Sequence, residues 1–245
     1  MNPNIKQPDI RTIIFSSDGF RLKGILHLPG ADHPPLIIGS HGLLSSGNSP
    51  KQIELARRCN ANGMAFFRFD HRGIGSSEGV FENVTSLEAR CNDLRSAIHT
   101  IRNRNDIGDR IGLFGSSMGG AVCLTVAGDP DIDAIVTFAA PVRSRTILDP
   151  PESSEYPPSG HPSFRANNLR FDISGELSRV RRVLIFHGDA DTIVPPSDAM
   201  EIFERVGEPK RIIIQKNGDH LMSNTDHQKE FIREACAWFC ARLYG

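Results

Sequence analysis

The chain has 245 residues and a formal net charge of −1, which gives no sign of a nucleic acid or an anionic membrane as a partner. This length suits one α/β domain, and we expect residues 1–245 to form a single domain. The five cysteines are few and odd in number, which favours reduced thiols in a cytoplasmic protein over a disulfide framework.

Composition along the chain predicts neither a targeting segment nor a metal site. The N-terminal segment is polar and no apolar run is long enough for a membrane span, so a soluble protein is expected. Cys236 and Cys240 stand one helical turn apart without a second Cys or His pair nearby, so no metal ligation is expected.

An antiparallel hairpin begins the predicted fold. Residues 10–16 and 20–28 are predicted strands, and residues 17–19 between them are typical of a tight turn. Residues 36–39 form a short, wholly apolar run, which favours a parallel strand that is covered on both faces.

Two amphipathic helices and a strand follow. Ser49 is predicted to cap the first helix, which ends at Gly63. Residues 64–69 are the next buried strand, and Thr85 is predicted to cap a second helix that runs to about residue 104. The apolar face of the first helix is predicted to contain Ile53, Leu55, Ala56 and Cys59.

The next strand and helix, and the turn between them, carry the strongest signal for catalysis. A buried strand begins at Ile111, and a helix of small residues covers residues 121–127. The turn over residues 115–119 reads G-x-S-x-G, the nucleophile-elbow pattern. Glycines suit this turn because side chains there would collide with neighbouring backbone, and the serine is presented at a helix N-terminus. We predict that Ser117 is a nucleophile.

The regular pattern breaks after a strand at residues 134–139. Residues 143–178 are rich in proline, serine and arginine and show little periodicity, so they are predicted to form a short cap inserted into the domain. Regular elements then resume, with strands at residues 183–187 and 211–215 and helices at residues 197–206 and 225–243.

Strands and helices alternate through most of the chain, which predicts an α/β fold with a mostly parallel, twisted sheet and helices on both faces. Open sheets of this kind gather ligands at the carboxyl ends of their strands. His220 follows the last strand, and Asp189 and Asp191 follow the strand before it. A nucleophilic serine needs a base, and the base needs an orienting carboxylate. Spacing alone does not choose between the two aspartates.

Taken in order, the motifs resemble the α/β-hydrolase superfamily over about residues 12–243. The matching stretches are residues 40–42, 70–76, 115–119, 187–195 and 218–220. Residues 79–85 look most similar to small esterases, including feruloyl and cinnamoyl esterases and serine-aminopeptidase-like lipases. The resemblance implies the α/β-hydrolase fold, Asp191 as the acid, and an oxyanion hole made by the backbone N–H groups of Leu43 and Met118.

These observations predict a carboxylesterase-like serine hydrolase that cleaves a small-molecule carboxylic ester through an acyl-enzyme, with no metal or organic cofactor. Ser117 is the expected nucleophile, His220 the base and Asp191 the orienting acid. The same triad would serve the hydrolysis of a thioester, a small amide or peptide, or a lactone. A non-catalytic relative that binds a ligand or partner is the alternative outside enzymes.

Other polar residues near the predicted site are expected to support it without taking part in the reaction. His41 and His187 are expected to brace their loops. Asp70 is expected to hold a nearby turn by hydrogen bonds, and Arg72 by a salt bridge. The sequence leaves the oligomeric state open.

Overall fold

The computed structural model describes residues 9–128, 132–144 and 169–245. Its elements, in chain order, are β1 (Asp9–Ser17), β2 (Phe20–Leu28), β3 (Leu36–Ser40), α1 (Pro50–Ala61), β4 (Ala65–Phe69), α2 (Phe81–Val84), α3 (Leu87–Arg102), β5 (Ile111–Ser116), α4 (Met118–Val126), β6 (Ala134–Phe138), a 3₁₀ turn (Leu177–Arg179), β7 (Val183–Gly188), α5 (Pro196–Arg205), β8 (Lys210–Gln215) and α6 (Thr225–Leu243).

Within these ranges the strands form one eight-stranded sheet in the order β1-β2-β4-β3-β5-β6-β7-β8. β1 and β2 form an antiparallel hairpin, and β2 also pairs antiparallel with β4. The other neighbours pair in parallel, from β4 through β3 and on to β8. The carboxyl ends of β3 to β8 therefore lie along one edge of the sheet.

Helices cover both faces of the sheet. On one face α3, α4 and α5 enclose a core to which Leu94, Leu113 and Ile202 belong. On the other face α1 and α6 enclose a second core, to which Leu55 and Phe114 belong. Neighbouring strand residues such as Leu113 and Phe114 serve opposite faces, as the pleat of a strand requires. The predicted α/β architecture with its N-terminal hairpin is confirmed.

The predicted N-terminal capping residue of the second long helix, Thr85, is wrong by one residue. Ser86 caps α3, because its side chain accepts a hydrogen bond from the N–H of Ala89 at 3.0 Å. Thr85 instead ends the short helix α2, where its N–H donates to the carbonyl of Phe81. A helix of one turn has too few residues to show periodicity, so the sequence did not predict α2.

The predicted apolar face of α1 is also wrong at one position. The side chain of Ile53 is 42% exposed, whereas Gln52 is buried together with Leu55, Ala56 and Cys59. Gln52 and those three residues follow the spacing i, i+3, i+4, i+7, which places them on one helix face. Ile53 lies about 100° around the helix from Gln52, beyond the edge of that stripe.

Most of the predicted cap, residues 145–168, lies outside the described residues. Its two described ends lie side by side: the N–H of Ser144 donates to the carbonyl of Phe171, and the N–H of Ile173 donates to that of Val142. Backbone hydrogen bonds therefore hold the two described ends of the predicted cap together.

All five cysteines are free thiols. Cys59 of α1 is hydrogen-bonded to Cys236 of α6, and Cys236 is also hydrogen-bonded to Cys240. The sequence did not predict that the first of these thiols would join the other two. No described helix combines the length and the apolar character that crossing a bilayer needs.

Candidate active site

Ser117 lies in the turn between β5 and α4. Its φ angle of +52° falls in the left-handed region, which is strained for a residue with a side chain. Its N–H donates to the carbonyl of Phe138 at 2.8 Å, which ties the turn to the end of β6. A side chain on Gly115 would collide with the backbone of Gly119, and one on Gly119 would collide with the backbone of Ser40. The two glycines therefore permit the sharp turn that presents Ser117 to a cleft.

The structure brings His220 and Asp191 to Ser117. The Nε2 atom of His220 lies 3.1 Å from Ser117 Oγ, and its Nδ1 atom lies 2.8 Å from Asp191 Oδ2. A carboxylate can only accept, so Nδ1–H donates to Asp191, and Nε2 keeps its lone pair toward the serine hydroxyl. Asp189 points elsewhere, accepting a hydrogen bond from the N–H of Asn217.

The Asp191 carboxylate is buried, and both of its oxygens accept hydrogen bonds. Its Oδ1 atom accepts hydrogen bonds from the N–H groups of Ile193 and Val194, both at 2.9 Å. Burial by itself would raise the pKa of Asp191, but hydrogen bonds from His187, His220 and the backbone hold that pKa far below its ordinary value. The carboxylate is therefore charged at neutral pH and held in one orientation.

His187 contacts this carboxylate directly. Its Nε2–H donates to the carbonyl of Val194 at 2.8 Å and lies 3.3 Å from Asp191 Oδ2. The sequence predicted only that it would brace a loop. Its position four residues before Asp191, at the end of a buried strand, was the available signal.

The loop after β3 packs against the nucleophile. A Cβ atom placed on Gly42 would lie 3.4 Å from Ser117 Cβ. The buried guanidinium of Arg90 donates to the carbonyls of His41, Gly42 and Leu43 at 3.2, 3.2 and 2.9 Å. Because a peptide unit is planar, fixing the Gly42 carbonyl on Arg90 turns the N–H of Leu43 to the opposite side of the loop.

The two predicted oxyanion-hole donors, the N–H groups of Leu43 and Met118, have no acceptor among the described residues. Met118 is the first residue of α4, where helix N–H groups lack partners within the helix. Both residues are buried near Ser117. Their N–H groups are thus available to a ligand.

Arg90 was missed by the sequence reading. It stands on α3 in the apolar stripe with Leu87, Cys91 and Leu94, and its side chain is fully buried. A charged residue on an apolar helix face was the signal that could have identified it.

A second set of buried polar groups supports this loop. His41 Nδ1–H donates to the carbonyl of Gly42 at 2.7 Å, and its Nε2 accepts from the N–H of His71 at 3.1 Å. The buried Asp93 carboxylate accepts from Arg72 Nε and Nη2 at 2.9 and 2.7 Å. Although burial acts in the opposite direction, His71 and Arg72 lower the pKa of Asp93 to about 2.

Asp70 also makes the turn contacts that the sequence led us to expect. Its carboxylate accepts hydrogen bonds from the N–H groups of Gly47 and Ser76. Arg72 reaches Asp18 as well as Asp93, so one guanidinium joins the β1–β2 turn to α3. These contacts hold the loop after β4 beside the loop after β3.

Ser117 and His220 open into a cleft of about 500 Å³. Its exposed surface is largely apolar, and its wall is formed by the loop after β3, the start of α1, the turn after β5, the loop after β8 and the start of α6. The apolar members are Leu43, Leu44, Leu221, Met222, Phe231 and Ile232. A small apolar cluster that includes Met118, the residue after Ser117, is formed by Leu43, Met118, Leu169, Ile193 and Val194, with Phe171 packed against it. Within the described ranges, no three His, Cys, Asp or Glu side chains are grouped so that they could hold a metal ion.

A protein-family model described as serine aminopeptidase, S33, matches residues 32–159. The chain is similar to the uncharacterized protein YfhR of Escherichia coli strain K12, with 29% identity over 231 residues that span 89% of this chain and 76% of YfhR. It is also similar to the mitochondrial palmitoyl-protein thioesterase ABHD10 of Rattus norvegicus, with 26% identity over 245 residues that span 90% of this chain and 76% of ABHD10.

Solved structures show the same architecture. The esterase domain of a Rhodothermus marinus protein superposes with a TM-score of 0.74 at 26% identity, over 96% of this chain and 100% of that one. Est1E from Butyrivibrio proteoclasticus, solved with ferulic acid bound, superposes with a TM-score of 0.80 at 17% identity, over 95% of this chain and 100% of Est1E. At that identity the second match shows the fold alone.

Proposed function

This chain belongs to the serine aminopeptidase S33 family of α/β hydrolases, and on that basis we propose that it is a serine hydrolase that cleaves a carboxylic ester through an acyl-enzyme. The proposal is supported by the continuous line of hydrogen-bonding groups from Asp191 through His220 to Ser117. That line ends beside a largely apolar cleft that can take an organic substrate.

In the proposed reaction, Ser117 Oγ attacks the ester carbonyl carbon while His220 Nε2 takes the hydroxyl proton. The Oγ–C bond forms, and the carbonyl electron pair moves to oxygen. Asp191 stabilises the imidazolium that results and holds it in the correct orientation. The developing oxyanion accepts hydrogen bonds from the N–H groups of Leu43 and Met118, and each such donor contributes about 3 kcal/mol to transition-state stabilisation.

Collapse of this intermediate breaks the bond to the alcohol oxygen, to which His220 returns the proton. Water then enters, His220 removes one of its protons, and the hydroxide attacks the acyl carbon. A second tetrahedral intermediate collapses with the proton going back to Ser117 Oγ, which releases the carboxylic acid. The same residues act in both halves, so no further group is required.

Thioester hydrolysis is the second candidate. It is favoured by the 26% identity to ABHD10, which is named as a palmitoyl-protein thioesterase. The proposed steps differ only in the leaving group, a thiolate in place of an alkoxide. Comparing kcat/KM on an ester and on a thioester with the same acyl group separates the two candidates.

The experiment that tests the proposal is the substitution Ser117→Ala, assayed with 4-nitrophenyl acetate and acetyl-CoA. We expect turnover to fall by several orders of magnitude, because the attacking oxygen is lost. Ser116→Ala, one residue earlier, is the matched control and should retain most of the activity. A fluorophosphonate probe should label Ser117 in the wild type. Unchanged turnover in Ser117→Ala, or labelling at Ser116, would contradict the proposal.

A further inference from the structure

The cleft beside Ser117 is also lined by Lys51, a cation that the proposed triad does not explain. Lys51 is the second residue of α1 and is partly buried. Its Nζ atom lies 3.7 Å above the centre of the Phe138 ring. Because Phe138 accepts the hydrogen bond from the N–H of Ser117, the ammonium group reaches the residue directly behind the nucleophile.

The position of Lys51 is electrostatically unfavourable. It stands in the first turn of a helix, where the helix dipole disfavours positive charge. Within the described ranges no carboxylate oxygen lies within 4.0 Å of its Nζ atom. Burial lowers the pKa of Lys51 to about 7, although the more distant carboxylates of Asp219 and Asp191 act in the opposite direction.

An acidic residue also lines the cleft but makes no ion pair with Lys51. Glu54 lines the same cleft one turn further along α1, but its two carboxylate oxygens accept hydrogen bonds from Arg57 at 2.9 and 2.6 Å. Among the described residues, the Lys51 ammonium group therefore faces the ring of Phe138 and makes no ion pair. A partly buried ammonium group in such a place is stabilised when a ligand supplies the counter-charge.

The chemistry of the wall limits that ligand. Apart from Lys51 and Glu54, the wall combines six leucine, methionine, phenylalanine and isoleucine side chains with smaller serine, histidine and glutamine groups. The six apolar side chains favour a hydrocarbon chain. A single lysine matches a monoanion. A phosphate dianion would need additional donors, so a carboxylate at the end of an aliphatic chain is the better match.

We propose that the cleft binds the half of the ester substrate that ends in a carboxylate, and that Lys51 Nζ donates a charge-assisted hydrogen bond to it. The inference rests on the proposed function and narrows its substrate class. The substrates would be half-esters of aliphatic dicarboxylic acids, or esters of ω-hydroxy acids.

The test uses ester pairs in which a carboxylate is replaced by an isopropyl group of similar shape. One pair carries the group on the acyl half: mono-4-nitrophenyl glutarate and 4-nitrophenyl 5-methylhexanoate. The other carries it on the alcohol half: the acetate esters of 5-hydroxypentanoic acid and of 5-methylhexan-1-ol. Homologues with shorter and longer chains locate the best length. The quantity compared is the ratio of kcat/KM for the carboxylate ester to kcat/KM for its neutral partner.

We expect Lys51→Met to lower this ratio at least tenfold for one of the pairs, while Lys51→Arg retains most of it. Lys229→Met is the matched control. It removes the same charge from an exposed side chain on α6, one residue after Gln228 of the cleft wall, and should leave the ratio unchanged. Lys51→Gln provides a second uncharged side chain if Lys51→Met does not fold.

An unchanged ratio in Lys51→Met for both pairs would overturn the inference, and so would an equal fall in Lys229→Met. If either outcome is found while the neutral esters are still cleaved in a Ser117-dependent way, only the carboxylate preference is refuted. If the wild type cleaves none of the four esters in a Ser117-dependent way, the proposed function fails instead. The pair that responds identifies which half of the substrate occupies the cleft.

Discussion

Burial and hydrogen bonding act on Asp191 in opposite directions. Removing a carboxylate from water favours its neutral form, yet four donors surround this one: two backbone N–H groups, His187 and His220. Together they keep the carboxylate charged and leave it one orientation. The ring of His220 is fixed in turn, because its Nδ1–H must face Asp191.

We expect Asp191→Asn to lower kcat by roughly three to four orders of magnitude. If the new amide keeps its oxygen toward the backbone N–H groups of Ile193 and Val194, its NH2 group faces His220 Nδ1. That arrangement favours the tautomer with the proton on Nε2, which cannot accept the proton of Ser117. Steady-state kinetics on 4-nitrophenyl acetate measures the loss.

Asp189→Asn is the matched control for this prediction. The substituted amide can still accept the hydrogen bond from Asn217, so the expected effect is mainly a lower melting temperature with kcat close to wild type. A fall in kcat as large as that of Asp191→Asn would instead assign the acid role to Asp189.

At the scale of single elements, α3 supports the active site from behind the sheet edge. Its buried Arg90 binds three successive carbonyl groups of the loop after β3, and its Asp93 binds Arg72 of the loop after β4. One helix thereby sets the relative positions of two loops that are far apart in sequence. The N–H of Leu43 faces away from Arg90 because the carbonyl groups face toward it.

We expect Arg90→Met to lower kcat/KM by about a hundredfold, the typical effect of losing one oxyanion-hole donor. The loop would lose its three side-chain hydrogen bonds, and the peptide before Leu43 would be free to turn. Arg95→Met, at an exposed position of the same helix, is the control and should behave as wild type.

A lower melting temperature is also expected in Arg90→Met, because three buried carbonyl groups lose their donor. Activity is therefore measured well below the melting transition found by circular dichroism. Wild-type kcat/KM in the folded variant would show that the loop keeps its conformation without Arg90.

At the scale of the whole molecule, the candidate site is assembled from the carboxyl ends of parallel strands. The loops after β3, β5, β7 and β8 contribute Leu43, Ser117, Asp191 and His220 respectively. These loops are far apart in the sequence, but parallel pairing brings the ends of their strands to one edge of the sheet.

The fold also buries histidines in their neutral form. His27 Nε2 accepts a hydrogen bond from Arg68 Nε–H at 2.9 Å, and His41 Nε2 accepts one from the N–H of His71. An accepting nitrogen cannot carry a proton. Burial, with the charge of Arg68, lowers the pKa of His27 to about 4, and burial holds the pKa of His41 well below its usual value.

The free energy of unfolding is therefore expected to fall as the pH is lowered from about 6.5 toward 4. In this window the unfolded chain binds protons at these histidines and the folded chain does not, so stability is fully present above pH 6.5. One histidine contributes at most about 1.4 kcal/mol per pH unit. Stability lost through the paired carboxylates of Asp93 and Asp191 belongs below pH 4, because their pKa values are lowered.

Urea unfolding between pH 4.5 and 7.5 measures this slope. The variant His27→Gln should show a shallower slope, because its amide oxygen can accept from Arg68 but does not titrate. His99→Gln, at an exposed position on α3, should keep the wild-type slope. Equal slopes in all three proteins would contradict the assignment of His27 as a buried neutral group.

Features that depend on neighbours along the chain were predictable from the sequence alone. The β1–β2 hairpin, the alternation of strands and helices, and the turn at Ser117 each depend on turn residues, apolar periodicity or glycines within a few positions. The same reading placed Asp191 and His220 after strands, which was enough to expect them at one edge of a parallel sheet.

Only the tertiary structure decided which side chains meet across long separations. It placed Arg90 of α3 under the loop at Leu43 and put Lys51 of α1 in the cleft. These contacts depend on the distance and angle between packed elements, and residues far apart in the sequence leave no periodic trace of them. The sequence by itself therefore determined the elements and the order of the candidate residues, and packing determined their partners.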